Sequence, residues 1–454
     1  MELMAELRKI ISDAERVTNN ETIIEQHSQD LTYHSPYPPE VVVYPKDKNE
    51  VHQVITFAYQ HNVPIVPFGV GSSVEGHVIP IHGGISLDMT LMDKIVDIRP
   101  QEFSVKVQPG VTREQLNRKL KSYGLFFPVD PGANASIGGM VATNASGTNA
   151  VRYGTMNNQV LGLEVVLADG SLMKTGGISA KSSAGYHLTN LFIGSEGTLG
   201  VFTEIILKLY GIPEKTVSAK AVFSTVEQAS ETAVNIISAG LSIGRIELVD
   251  EHTITAVNAY RDTNFAEKPT LFLEFSGMEH WIEKDVALGK SLIEDFDCID
   301  FVFESDPLKR TELWEARHQA VFAIQAKYPG QKPMSTDVCV PISVLPEAIE
   351  NARKTISDNG IEGAIFGHVG DGNYHVVFMV DPQSQEEIER AEKINHDIVR
   401  FAIKNGGTCT GEHGIGIGKI DYLQEEQGSA YHLMKVIKHA IDSKNILNPG
   451  KIFN

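Results

Sequence analysis

Two short strings carry residues able to hold a metal ion and move a proton. The first is Gly367-His368-Val369-Gly370-Asp371-Gly372-Asn373-Tyr374-His375. Asp-Gly is a two-residue hairpin signal. With Asp371-Gly372 as the turn, His368 faces His375, and their Cβ atoms fall ~5 Å apart on one face. Two imidazoles so placed can chelate one ion. The second string is Thr408-Cys409-Thr410-Gly411-Glu412-His413-Gly414, with further glycines at 416 and 418. Adjacent Glu and His in such a loop can point apart. Glu412 would complete a His-His-Glu set that leaves positions open for substrate and accepts zinc, manganese or iron. His413, ionising near neutral pH, would be the acid/base. In a chain with 16 histidines, a pair of surface histidines is the ordinary alternative. Opposition across the turn favours the metal pair. Arg317 stands among apolar neighbours on a helix expected from about Asp306 to Tyr328. It suits a bidentate carboxylate clamp, and a surface ion pair fits equally well.

Glycine marks where a large ligand would lie. Residues 69–200 hold 20 of the 39 glycines. Pro67-Phe68-Gly69-Val70-Gly71-Ser72-Ser73-Val74-Glu75-Gly76-His77 follows a buried strand, and successive backbone N–H groups there can form an anion nest. The spacing is neither the Rossmann fingerprint nor a Walker A loop. Asp130-Pro131 through Ser136, Gly138, Gly139, Asn144, Ser146 and Gly147 is nearly all small or amide-bearing, which lets a flat ring approach the backbone. Gly194-Ser195-Glu196-Gly197-Thr198-Leu199-Gly200 has the same character. The three together point to a planar cofactor with a pyrophosphate.

The elements that must position these residues are partly legible. Val41–Tyr44, Asn49 to about Gln60, and Pro64–Pro67 read as β-α-β with parallel strands. Thr112 starts a helix that Gly124 stops. VLGLEVVLADGSLMKT reads as a type I′ hairpin on Asp169-Gly170. From about Pro213, amphipathic helices such as TVEQASETAVNIISAG alternate with apolar runs such as LFLEFSG, an α+β texture on an antiparallel sheet. The N-terminus reads as an amphipathic helix.

Composition narrows the function. The 454 residues carry 39 basic and 58 acidic side chains, a net charge of −19. That disfavours non-specific nucleic-acid or anionic-lipid binding. No apolar run approaches the ~20 residues of a membrane span. Three scattered cysteines fit a reducing compartment. The expected location is the cytoplasm, with peripheral association at the inner face of the membrane allowed.

The strings PFGVGSSVEGH, FFPVDPGANASIGGMVATNASGTNAVRYGTM, KSSAGYHLTNLFIGSEGTLGV, STDVCVP, GHVGDGNYH, TCTGEHGIGIGK and NPGKIF occur in this order. Together they resemble the FAD-linked oxidases of the vanillyl-alcohol-oxidase / para-cresol-methylhydroxylase type. Within that type they are most similar to the cytochrome-linked flavin D-lactate dehydrogenases and the glycolate oxidase flavin subunit. The resemblance implies an α+β fold, with a two-part FAD-binding domain and a cap domain built on a large antiparallel sheet. It implies an N-terminal helical segment over 1–35, the FAD domain over 36–212, the cap over 213–407, and a returning segment over 408–454.

By the same resemblance, Gly69–Gly76 hold the pyrophosphate and Asp130–Gly147, with Tyr153 and Gly154, run along the flavin. Glu196, Gly197 and Gly200 lie toward the adenine, and Asn448 near the flavin. His368, His375 and Glu412 match metal ligands, His413 the base and Arg317 the carboxylate clamp. Distant relatives attach FAD covalently through a histidine in the loop of His77; the lactate-type resemblance implies non-covalent FAD. Diacid-oxidising cousins have Thr where this chain has Val321, which disfavours a second substrate carboxylate. The implied activity is oxidation of a D-2-hydroxy acid, D-lactate first, to the 2-oxo acid. The electron acceptor would be a quinone, a cytochrome or an electron-transfer flavoprotein. Glycolate or D-2-hydroxyglutarate oxidation, or a flavin-using alkyl transfer, are the alternatives.

Overall fold

The structure, a computed structural model, describes residues 3–453. They form two compact units. The first comprises residues 3–146, 154–212 and 412–453; the second comprises 147–153 and 213–411. Gly147 and Tyr153, expected with the flavin domain, therefore belong to the second unit, and the return falls at 412 rather than 408. The class is α+β, a unit with two smaller main sheets plus one built on a large antiparallel sheet. Among the described residues no helix is long and apolar enough to cross a membrane.

In the first unit the helix Lys48–His61 shows how sequence sets structure. Asp47 caps it by accepting from the N–H groups of Asn49 and Glu50. Val51, Val54, Ile55 and Ala58 repeat at helical spacing and are fully buried. Asn62 ends it in the left-handed region at φ 54°. The flanking strands Val41–Val43 and Ile65–Phe68 are parallel as expected, but not adjacent. Ile85–Asp88 lies between them and pairs parallel with both. A second sheet runs in the order Ile95–Arg99, Ser104–Val107, Val201–Lys208, Val160–Val166, Leu172–Gly176, all antiparallel. Its last hairpin pairs Val166 with Leu172, and only Gly170 has positive φ, at 87°. Leu167 N–H donates to Ser171 O at 2.9 Å, so the turn is a three-residue loop, 168–170, with a left-handed glycine, not a type I′ turn.

The C-terminal segment closes this unit. Ile65 N–H donates to Ile446 O at 2.7 Å, and Asn448 N–H donates to Ile65 O at 2.7 Å. This covers the outer edge of the strand Ile65–Phe68. Buried Lys438 fixes the approach, donating to Asp442 at 2.6 Å and to the carbonyls of Thr198 and Leu447.

The second unit is a long antiparallel sheet. Its order is Asp300–Glu304, Lys215–Val222, Thr270–Gly277, Ile243–Val249, Gly363–Gly367, Asn373–Val380, Lys332–Ser335, and Val338–Cys339 also pairs with Asn373–Val380. The expected helix from Asp306 to Tyr328 is two helices, Pro307–His318 and Ala320–Lys327, separated at Gln319. Trp314 and Ala316 of the first and Ala320, Ala323 and Ile324 of the second pack in one core with Phe272 and Phe366.

Candidate functional site

In the first unit the glycine loop follows the strand Ile65–Phe68. The N–H groups of Val70 through Val74 donate to no other group among the described residues. Gly71 and Gly76 have positive φ, 67° and 75°, and the Ser73 hydroxyl is buried without a partner. A run of undirected donors beside a buried hydroxyl is what a pyrophosphate needs, so the residues present fit FAD. The loop is braced by Asp30, whose carboxylate accepts from Gly76 N–H at 2.7 Å.

Several candidates from the other two glycine-rich strings converge on this loop. A Cβ on Gly69 would meet Ser136 Oγ at 2.4 Å, and one on Gly197 would meet Pro67 at 2.9 Å. Asn448 Nδ2 donates to the carbonyls of His77 and Glu196, at 3.0 and 2.7 Å. His77 Nε2 and Glu196 Oε2 form a buried ion pair at 3.3 Å. Glu196 also accepts the N–H groups of Ile415 and Gly416 at 2.7 and 2.8 Å. It thereby ties the loop that begins with Glu412 and His413 to the glycine loop. Burial works against charge on both partners. Glu196 nonetheless holds His77 above the usual imidazole range, and His77 with the two N–H groups holds Glu196 below the usual carboxylate range.

Other small residues in these strings serve the fold. Ser136 caps the helix Ile137–Thr143, accepting from Gly139 N–H. Gly138 lies where a Cβ would meet Pro109 at 2.6 Å, and Gly200 where one would meet Val165 at 2.4 Å. Asn144 ends that helix at φ 51°, and its Oδ1 accepts from Thr155 and Asn157. Gly154 has positive φ at a turn before the capped helix Met156–Gln159. Ser146 Oγ donates to Glu412 at 2.7 Å, and His413 is half-buried. Asp130 and Pro131 lie in an irregular stretch with no defined element.

The second unit carries the histidine pair, though not in the expected register. Phe366, not His368, pairs with His375, and residues 368–372 form a five-residue connection. An Asp371 N–H to His368 O bond folds that connection tightly enough to return His368 beside His375. The two rings lie 5.5 Å apart, centroid to centroid, at 87°. Imidazoles sharing a tetrahedral ion have centroids about 5 Å apart at ordinary metal–nitrogen distances. His368 Nδ1 faces Glu247 Oε1 at 2.7 Å. His375 Nδ1 faces Asp337 Oδ1 at 3.6 Å and Thr336 O at 3.4 Å. Both rings thus turn Nδ1 toward protein acceptors, the arrangement that presents Nε2 as ligand. The donor set fits a divalent metal.

Arg317 is buried at 7% exposure rather than at a surface ion pair. Its Nε and Nη2 donate to Glu247 Oε2 at 2.9 and 2.8 Å, and its Cζ lies 4.9 Å from the Phe366 ring centroid. Sequence reading missed both carboxylates. Glu247 had a signal: a lone acid within the apolar run Ile246-Glu247-Leu248-Val249. Asp337 stands within STDVCVP, and it also accepts from Asn373 Nδ2 and Thr410 Oγ1. Cys409 is fully buried and packs as a small core residue.

Fold and comparison with known proteins together define a class, FAD-linked oxidoreductases. Residues 39–176 match the FAD binding domain, and residues 212–452 match the C-terminal domain of FAD linked oxidases. The chain belongs to the FAD-linked oxidase family. It is 45% identical over 99% of its length to a probable mitochondrial D-lactate dehydrogenase of Danio rerio, covering 92% of that protein. It is 42% identical over 99% of its length to a mitochondrial D-lactate dehydrogenase (cytochrome) of Arabidopsis thaliana, covering 80% of it. A solved structure of p-cresol methylhydroxylase with substrate bound shares the fold at a TM-score of 0.80 and 17% identity, over 99% of this chain and 96% of that one.

Proposed function

We propose that the protein oxidises D-2-hydroxy acids, D-lactate foremost, to 2-oxo acids. The observation that carries this reading is the buried Arg317 one carboxylate away from the His368/His375 pair. A cation beside metal-type ligands suits a substrate whose carboxylate adjoins its hydroxyl. When bound, FAD takes the hydride and a divalent metal makes the hydroxyl more acidic. Arg317 binds the substrate carboxylate and orients the 2-carbon. His413 accepts the hydroxyl proton at a ring nitrogen. His368, His375 and Glu412 hold the metal. The loop Gly69–Gly76 holds the pyrophosphate, with Asn448 and Glu196 fixing the loop's surroundings. FAD is non-covalent, and a quinone, cytochrome or electron-transfer flavoprotein reoxidises it. The location is the cytoplasm or the inner membrane face. The names of the relatives support the choice of substrate.

Anaerobic bleaching of the flavin absorbance against D- and L-2-hydroxy acids tests this. D-lactate should bleach it and L-lactate should not; no bleaching by any D-2-hydroxy acid removes the reading. His413→Ala should lower the reduction rate at saturating D-lactate by ~10²–10⁴, the usual cost of losing a general base. A rate within a few-fold of wild type assigns the proton elsewhere.

A further inference from the structure

One buried carboxylate is left unused by this reaction. Glu247, in the strand Ile243–Val249, is fully buried. A charge so placed must be paired, and its two oxygens serve different residues. Oε1 faces His368 Nδ1 at 2.7 Å, and Oε2 accepts from Arg317 Nε and Nη2 at 2.9 and 2.8 Å. His368 follows directly on the strand Gly363–Gly367, which pairs with Glu247's own strand at Leu248↔Gly367. Arg317 comes from the helix Pro307–His318. One side chain therefore ties two strands and a helix.

We propose that Glu247 is a positioning residue that fixes the spacing between the metal ligand His368 and the carboxylate clamp Arg317. It thereby selects acids whose hydroxyl is on the carbon next to the carboxylate. This rests on the roles given to His368 and Arg317 above. By accepting the Nδ1 proton, Glu247 sets the tautomer and leaves the Nε2 lone pair for the ion. By holding the Nε–Nη2 edge of a planar guanidinium, it fixes the direction in which Nη1 points. The Phe366 ring packs against the guanidinium and limits its movement. Two anchors on independent supports could separate to admit a 3-hydroxy acid. Two anchors on one carboxylate move together. The pairing of His375 with Asp337, at 3.6 Å, is looser than that of His368 with Glu247 at 2.7 Å.

The variants follow from hydrogen-bond chemistry. Glu247→Gln keeps the shape, but its NH₂ must face either the Arg317 donors or the His368 N–H, so one contact becomes donor against donor. Glu247→Asp keeps the charge but is one methylene too short to hold both. The full-length, FAD-loaded protein is stripped of metal and titrated with Mn²⁺, with free Mn²⁺ followed by electron paramagnetic resonance. Flavin reduction is then measured with D-lactate and with D-3-hydroxybutyrate. For Glu247→Gln, Mn²⁺ should bind about 10–100-fold more weakly, the usual effect of losing such a support. The KM for D-lactate should rise more than the limiting rate falls, and preference over D-3-hydroxybutyrate should shrink. Glu247→Asp should impair one of the two, Mn²⁺ affinity or KM, more than the other. If both variants bind Mn²⁺ within threefold of wild type and keep its substrate preference, the role of Glu247 is overturned. His368→Ala separates the two levels. If it also keeps full Mn²⁺ affinity, the ligand assignment itself falls, and this proposal with it. If it loses Mn²⁺ while the Glu247 variants do not, only the proposal falls.

Discussion

In each unit a buried carboxylate faces an imidazole, and the pairs differ in what else the carboxylate holds. Glu196 faces His77 and two backbone N–H groups. Glu247 faces His368 and the guanidinium of Arg317. Backbone N–H groups stabilise the carboxylate without cancelling its charge, so Glu196 raises the His77 pKa although burial works to lower it. The guanidinium already supplies Glu247 with a permanent positive charge, so the pair needs none from His368. That imidazole can keep a lone pair for an ion. The same two side-chain types thus make a structural strut in one place and a ligand support in the other. The third partner decides which.

The largest effect should come from removing the strut. Glu196→Ala leaves a buried imidazole and two N–H groups without their acceptor, and breaking such a buried pair costs about 3–5 kcal/mol. Urea unfolding followed by flavin release measures it; an unchanged midpoint would break the comparison at its first term. A smaller effect should appear with pH. The contribution of Glu196 is complete above the carboxylate's unfolded pKa and is lost as pH falls through its lower folded value. The contribution of His77 is complete below the imidazole's unfolded pKa and is lost as pH rises through its raised folded value. Stability should therefore peak between the two, and His77→Gln should flatten the alkaline side. A wild-type profile already flat there would mean that His77 is not held charged. Acid precipitation checks the same histidine in another way, since non-covalent FAD should stay in the supernatant.

The second unit sharpens the contrast at lower amplitude. Asp337 stands 3.6 Å from His375, beyond a good hydrogen bond. Asp337→Asn should weaken Mn²⁺ binding by less than about tenfold, the low end for such supports. A loss matching that of Glu247→Gln would make the two carboxylates equivalent. The smallest change is Thr112→Ala, which opens the capping box with Gln115 far in sequence from either pair. It should cost about 1 kcal/mol in urea unfolding, the scale of an ordinary local defect.

What could be read from the sequence follows from how local each signal was. The helix Lys48–His61, the capped helix from Thr112, and the alternation of helices with strands beyond Pro213 rest on caps and periodicity within a few residues. The registers were not local. Asp169-Gly170 and Asp371-Gly372 both promised two-residue turns, and both connections are longer, because neighbouring strands and loops set the ladder. The position between Val41–Val43 and Ile65–Phe68 is filled by Ile85–Asp88, which no β-α-β pattern announces. At the site, His368, His375 and Arg317 stood out because chemistry-bearing residues in glycine-rich or apolar settings are conspicuous. Glu247 was hidden within a strand, and its partners come from elements 70 and 121 residues further along the chain. Gly138 and Gly200 stood out as ligand contacts, and each also lies where a Cβ would meet a packed neighbour, Pro109 or Val165.

The returning segment has a consequence for how the chain is made. Asn448 donates to the carbonyl of His77 across 371 residues of sequence. At about 5–20 residues per second, synthesis takes roughly 20–70 s to span that interval. For that time the strand Ile65–Phe68 is exposed on the ribosome with one edge bare, a template for unwanted pairing. The second unit is translated entirely within this delay. The nascent protein therefore completes its later unit before its earlier one, and a chaperone that shields the first unit would act within that window.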